Sequence, residues 1–98
     1  MKIGILKEHK SEEKRVAIVP STVSALSKKG YEFFLESDSG LLSNYSDNDY
    51  IEAGAKIVSQ NEVFDCDIIC KVNAPSDEEV SLLKSGTLFI SLLQTIKE

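Results

Sequence analysis

The side chains in this sequence with the most to offer chemically are Arg15, Asn73 and Gln94, and each falls near the end of an apolar run. The clearest case is Ile68-Ile69-Cys70-Lys71-Val72-Asn73-Ala74-Pro75, where a buried-strand pattern stops at an amide and a proline. Where such runs are parallel strands, their C-terminal ends open on one edge of the sheet, and ligands are met in the crevice there. An arginine fork with two amides suits a carboxylate or a carboxamide: the fork donates two parallel hydrogen bonds, and the amides add neutral donors and acceptors. Arg15, Asn73 and Gln94 are therefore the candidate cleft-lining residues. Blander readings exist for each. Arg15 fits a solvated loop charge beside Glu12 or Glu13, Asn73 fits an amide capping its own turn, and Gln94 fits a plain surface amide.

Other chemistries lack their parts. His9, the only histidine, sits among Lys7, Glu8 and Lys10 with no nucleophile or third member beside it, and reads as a surface side chain. Cys66 and Cys70 are four apart on an expected strand, about 13 Å along it, which is too far for a disulfide. They read as a pair of buried thiols, and no metal site is expected. The glycines at 4, 30, 40, 54 and 86 never form G-x-G, so neither a dinucleotide fingerprint nor a P-loop is present. A phospho-receiver reading fails because the first strand ends in Lys7-Glu8-His9-Lys10 rather than in paired acids, and the third ends in Val58-Ser59.

The elements that must position these residues alternate in type. Non-alternating apolar runs at 3–6, 33–35, 68–72 and 88–93, with a weaker one at 56–58, imply strands buried on both faces. Between them lie helix signals. Pro20 opens a helix carrying Val23 and Leu26, closed by Lys28-Lys29 in its last turn and by Gly30. Ser46-Asp47-Asn48-Asp49 starts a short helix that Gly54 ends, while Ser59-x-x-Glu62 and Ser76-x-x-Glu79 both fit the capping box. Val80, Leu82 and Leu83 are expected to form the apolar face of the last helix. The order β-α-β-α-β-α-β-α-β predicts an α/β, three-layer, flavodoxin-like domain with a five-stranded parallel sheet over residues 1–98. The charged stretch 8–19 is long for a strand-to-helix connection, and its Val16-Ala17-Ile18-Val19 portion is expected to pack on the core.

Composition narrows the partners. With 98 residues, 42% of them apolar, the chain has one domain's worth of core. A net charge of −5 from 16 acidic and 11 basic residues repels nucleic acid on average. No apolar run reaches the length of a membrane span or a signal segment, so the expected location is cytoplasmic.

In order and spacing, Ile3-Gly4-Ile5-Leu6-Lys7-Glu8, Arg15-Val16-Ala17-Ile18-Val19-Pro20, Tyr50 with Ala53-Gly54-Ala55, and Ile69 to Pro75 resemble the N-terminal domain shared by alanine dehydrogenase and the alpha subunit of nicotinamide nucleotide transhydrogenase. The likeness covers essentially the whole chain. In the alanine dehydrogenase branch a lysine stands at the position of Asn73 and a histidine at that of Gln94, and these handle pyruvate together with the arginine matching Arg15. An amine and an imidazole can polarise a keto group and exchange protons, whereas two amides only hydrogen-bond. Lys-Val-Asn-Ala-Pro before an acidic helix start looks like the transhydrogenase branch instead.

That resemblance implies the N-terminal domain of the NAD(H)-binding alpha subunit of a proton-translocating NAD(P) transhydrogenase, an oxidoreductase moving hydride between NADH and NADP⁺. NAD(H) would then sit mainly on a following Rossmann-type domain not contained in residues 1–98. The chain is accordingly read as a fragment of a longer subunit, inactive alone, with no cofactor-binding residue of its own. Implied partners are that Rossmann domain, the NADP-binding and membrane subunits, and a second copy in a full-length homodimer, which would keep the protein peripheral to the inner membrane. Leu92, Leu93 and Ile96 are expected to be remnants of an interface with the missing domain. Two alternatives stay open: an alanine dehydrogenase-like N-terminal domain, and a stand-alone module that holds a small carboxylate through Arg15 and Asn73 without catalysis.

Overall fold

A computed structural model describes residues 1–8 and 16–91. Among these described residues five strands and four α-helices alternate: β1 (Lys2–Ile5), α1 (Pro20–Ser27), β2 (Glu32–Glu36), α2 (Asp47–Ala53), β3 (Lys56–Val58), α3 (Gln60–Val63), β4 (Ile68–Lys71), α4 (Asp77–Leu82) and β5 (Leu88–Ser91), with a short 3-10 turn at Leu41–Ser43. All pairings are parallel, and the strands lie in the order β3-β2-β1-β4-β5. The expected three-layer α/β architecture with a five-stranded parallel sheet is what forms. The strand order matches the first five strands of the 3-2-1-4-5-6 doubly wound sheet, whereas flavodoxin itself runs 2-1-3-4-5.

Successive residues of the central strands feed opposite layers, which is why their sequences read as continuous apolar runs. Ile3, Ile5, Phe33, Leu35 and Cys70 pack with Val23 of α1 and Tyr50 of α2, and Val16, Ala17 and Ile18 lie against this cluster as expected. On the other face Leu6 and Ile69 pack with Val63 of α3, Phe64, and Leu83 just beyond α4. Tyr50 is fully buried; its hydroxyl donates to the Ile18 carbonyl at 2.8 Å, pinning the segment before α1 to α2. Gly4 is required by close approach: a Cβ there would lie 2.8 Å from Val63 Cγ1 and 3.0 Å from the Val63 carbonyl. Gly54 ends α2 at φ 111°, a left-handed backbone that other residues adopt only with strain.

Four local expectations need correction. Cys66 lies in the turn before β4 rather than on the strand, because β4 begins only at Ile68, although both cysteines are buried and free. Lys28 and Lys29 fall beyond α1, which stops at Ser27, so they sit outside its last turn. β5 is not buried on both faces. Phe89 faces the α3 side, while Leu88 and Ile90 are exposed on the other, because β5 is an edge strand that no described helix crosses there. Most consequential, α4 turns Val80 and Leu82 outward and buries Glu79; of the expected apolar face only Leu83 packs inward.

Candidate functional site

The chain runs from β1 outward to β3 on one side, then crosses to β4 and β5 on the other, so the strand order diverges between β1 and β4. A crevice at the C-terminal ends of those two strands is the expected ligand edge of such a sheet. Glu8, three residues beyond β1, fills this point. Its carboxylate accepts from the Val72 amide at 2.7 Å, from the Asn73 amide at 3.3 Å and from Asn73 Nδ2 at 3.2 Å. The next carboxylate along the edge, Glu36 at the end of β2, accepts from the Lys7 amide at 2.9 Å, and Ser91 Oγ at the end of β5 donates to the Val72 carbonyl at 3.3 Å. Backbone groups freed where the strands stop are thus taken up by side chains of neighbouring strands.

Beneath the rim loop lies an ion pair. Lys71, the last residue of β4, meets Glu79 of α4 at 2.7 Å, with the two side chains only 5% and 4% exposed. Such burial is tolerated only when the charges are paired and hydrogen-bonded. Glu79 Oε1 also accepts from the Ser76 amide at 2.9 Å, and Ser76 Oγ accepts from the Glu79 amide at 3.1 Å, so one carboxylate serves both the capping box and the ion pair. Glu79 Oε2 is buried and has no hydrogen-bond partner among the described residues. The loop Val72–Ser76 is consequently held at its β4 end by Glu8 and at its α4 end by Glu79.

Of the three candidates, Asn73 takes its place on this rim in contact with Glu8. Arg15, Gln94 and the neighbouring His9 lie outside the described residues, as do Leu92, Leu93 and Ile96. Glu8, Lys71 and Glu79 were not singled out from the sequence as site residues. The available signal was charge at the end of, or just beyond, a buried strand: Lys71 interrupts an otherwise apolar run, which requires a buried counter-charge nearby.

Among the described residues the rim offers hydrogen-bonding groups rather than a nucleophile. Burial pushes the Cys70 thiol upward, and burial also raises Cys66 to about 11, so both stay protonated at neutral pH. A cavity of about 120 Å³ lined by Lys2, Phe34, Glu62, Asp65 and Cys66 lies toward the opposite edge of the sheet, where β1 begins. No helix among the described residues is long and apolar enough to cross a membrane.

Comparison with known proteins places this geometry in a family. Residues 4–98 match the family described as alanine dehydrogenase/PNT, N-terminal domain. The chain belongs to that family. It is 41% identical over 93 residues to the NAD(P) transhydrogenase subunit alpha of Haemophilus influenzae, covering 95% of this chain and 18% of that protein. It is 43% identical over 99 residues to an alanine dehydrogenase of Staphylococcus haemolyticus, covering all of this chain and 26% of that protein. Among solved structures, the transhydrogenase from Sinorhizobium meliloti superposes with a TM-score of 0.89 at 32% identity, covering 95% of this chain and 28% of that one. An L-alanine dehydrogenase gives 0.86 at 34% identity, covering 91% and 25%. The chain thus spans between 18% and 28% of the length of these relatives, all of which are oxidoreductases by name.

Proposed function

We propose that this chain is the N-terminal lobe of the NAD(H)-handling alpha subunit of a proton-translocating NAD(P) transhydrogenase, walling one side of the dinucleotide cleft while a following Rossmann-type domain grips NAD(H). The observation that carries this reading is the state of position 73. There the rim presents an asparagine whose amide and carboxamide are bonded to Glu8, and an amide neither polarises a keto group as an ammonium does nor exchanges protons at neutral pH. The likeness to the Haemophilus and Sinorhizobium proteins is consistent with this branch and is matched by that to the alanine dehydrogenases, so position 73 carries the choice. In this reading the NADP-binding and membrane partners complete hydride transfer and proton translocation, the full-length subunit pairs as a homodimer, and membrane association comes only through those partners.

Alanine dehydrogenase is the competing reading, because the Staphylococcus relative is as similar in sequence as the transhydrogenase. A carboxylate-binding module is less favoured, since the donors of Asn73 already hold a carboxylate supplied by this chain. Grafting residues 1–98 in place of the matching segment of a transhydrogenase alpha subunit, and assaying the reconstituted enzyme, separates the branches. The expected result is hydride transfer from NADH to an NADP⁺ analogue with no alanine-dependent reduction of NAD⁺. Alanine turnover, or loss of transhydrogenation in a folded graft, would overturn the assignment.

A further inference from the structure

We infer that Glu8 is a positioning residue: its carboxylate occupies an anion notch formed by the Val72 and Asn73 amides and the Asn73 carboxamide, and so sets the orientation of the rim loop from the neighbouring strand. Three N–H donors converge on one carboxylate across 64 and 65 residues of sequence, at the point where the strand order diverges. Two of the donors are backbone amides just beyond β4, which a continuing strand or helix would otherwise satisfy. A carboxylate only accepts, so it also decides which end of the Asn73 side chain turns toward it. Nδ2, the donor end, faces Glu8. The opposite end of the loop is fixed independently by Glu79, through Ser76 and Lys71. Glu8 therefore acts on the rim by holding Asn73 rather than by meeting a ligand.

The notch has a defined chemistry. Donors arranged for a side-chain carboxylate will accept a small free carboxylate of the same geometry once the side chain is removed, and will not accept a spherical halide equally well. The inference rests on reading this rim as a wall of the dinucleotide cleft, but the bonds concerned are those of this chain alone. Its test does not depend on which branch of the family the parent enzyme belongs to.

The experiment is ¹H–¹⁵N spectroscopy of the 98-residue chain as wild type, Glu8→Ala and Glu8→Gln, with formate titrated into each against chloride at matched ionic strength. In Glu8→Ala the Val72 and Asn73 backbone amides and the Asn73 side-chain amide move upfield, while Val23 and Ile51 on the far helices stay in place. Formate, and not chloride, returns the three signals toward their wild-type positions in a saturable manner. Glu8→Gln keeps the shape but replaces one acceptor oxygen by a donor, and shifts the same signals without full rescue. Should Glu8→Ala fail to fold, the shift of the same three signals in Glu8→Gln carries the test. Wild-type positions for the three signals in the folded variants, or a Glu8→Ala response identical in formate and chloride, would overturn the inference. Failure of the grafted enzyme to transfer hydride would leave this result untouched.

Discussion

Removing the Lys71 ammonium while Glu79 stays would leave a buried carboxylate with no counter-charge among the described residues, and that asymmetry governs what mutation of the pair does. K71M is expected to cost about 3–5 kcal/mol in urea denaturation, the usual range for stranding one member of a buried pair. K71M combined with E79L is expected to cost less than K71M alone, because the stranded charge goes too; a double variant clearly less stable than the single would contradict this. Tyr50 gives a pH signature. Burial, with smaller contributions from Tyr45 and Asp49, raises its hydroxyl from 10.0 to about 12. The folded-state value exceeds the unfolded one, so the contribution of the neutral hydroxyl is complete below pH 10 and is lost as pH rises through about 12. Thermal unfolding of wild type should steepen in its decline across that window relative to Y50F, which itself forfeits about 1 kcal/mol of hydrogen bonding. Parallel pH profiles would refute the assignment. At this scale the sequence displayed Asn73 by its setting before Pro75, but Glu8 looked like one charge among several. Nothing local reveals that its partners are 64 and 65 residues away.

Helix starts were the most readable elements, because a capping box is a local device: Ser46, Ser59 and Ser76 all occupy N-cap positions, with an acidic residue three positions on. S76A is expected to lose about 1 kcal/mol, as N-cap replacements do, and to loosen α4 most as judged by hydrogen exchange. Uniform loosening of all helices would argue against a local cap. The face that α4 buries was not readable, because Val80, Leu82 and Leu83 advertise an apolar stripe while the ion pair with Lys71 commits the helix to bury Glu79 instead. α3 shows the converse, since its four residues are too few to display a period and its placement depends on the absence of a side chain at Gly4. G4A should force α3 off the sheet and cost about 1–3 kcal/mol, the range for overpacking a core. A variant as stable as wild type would show that this contact is slack.

For the whole molecule, parallel pairing followed from apolar runs without alternation, and the strand count from the punctuation between them. The strand order did not follow, because it depends on which way the chain turns after β3, and no residue records that choice. The exposed Leu88 and Ile90 on β5 were likewise hidden inside a run that looks buried from both sides. The likeness of four separated blocks to one family carried the functional reading further than any single motif, and residues 4–98 do belong to that family. In the proposed function the chain is a scaffold lobe and the dinucleotide is gripped elsewhere, a reading that rests on a sequence with neither a G-x-G turn nor a P-loop to cradle a pyrophosphate. Calorimetric titration of NADH into the 98-residue chain tests this most directly. No saturable heat is predicted at concentrations up to the millimolar range, whereas a stoichiometric site with micromolar affinity would contradict the account.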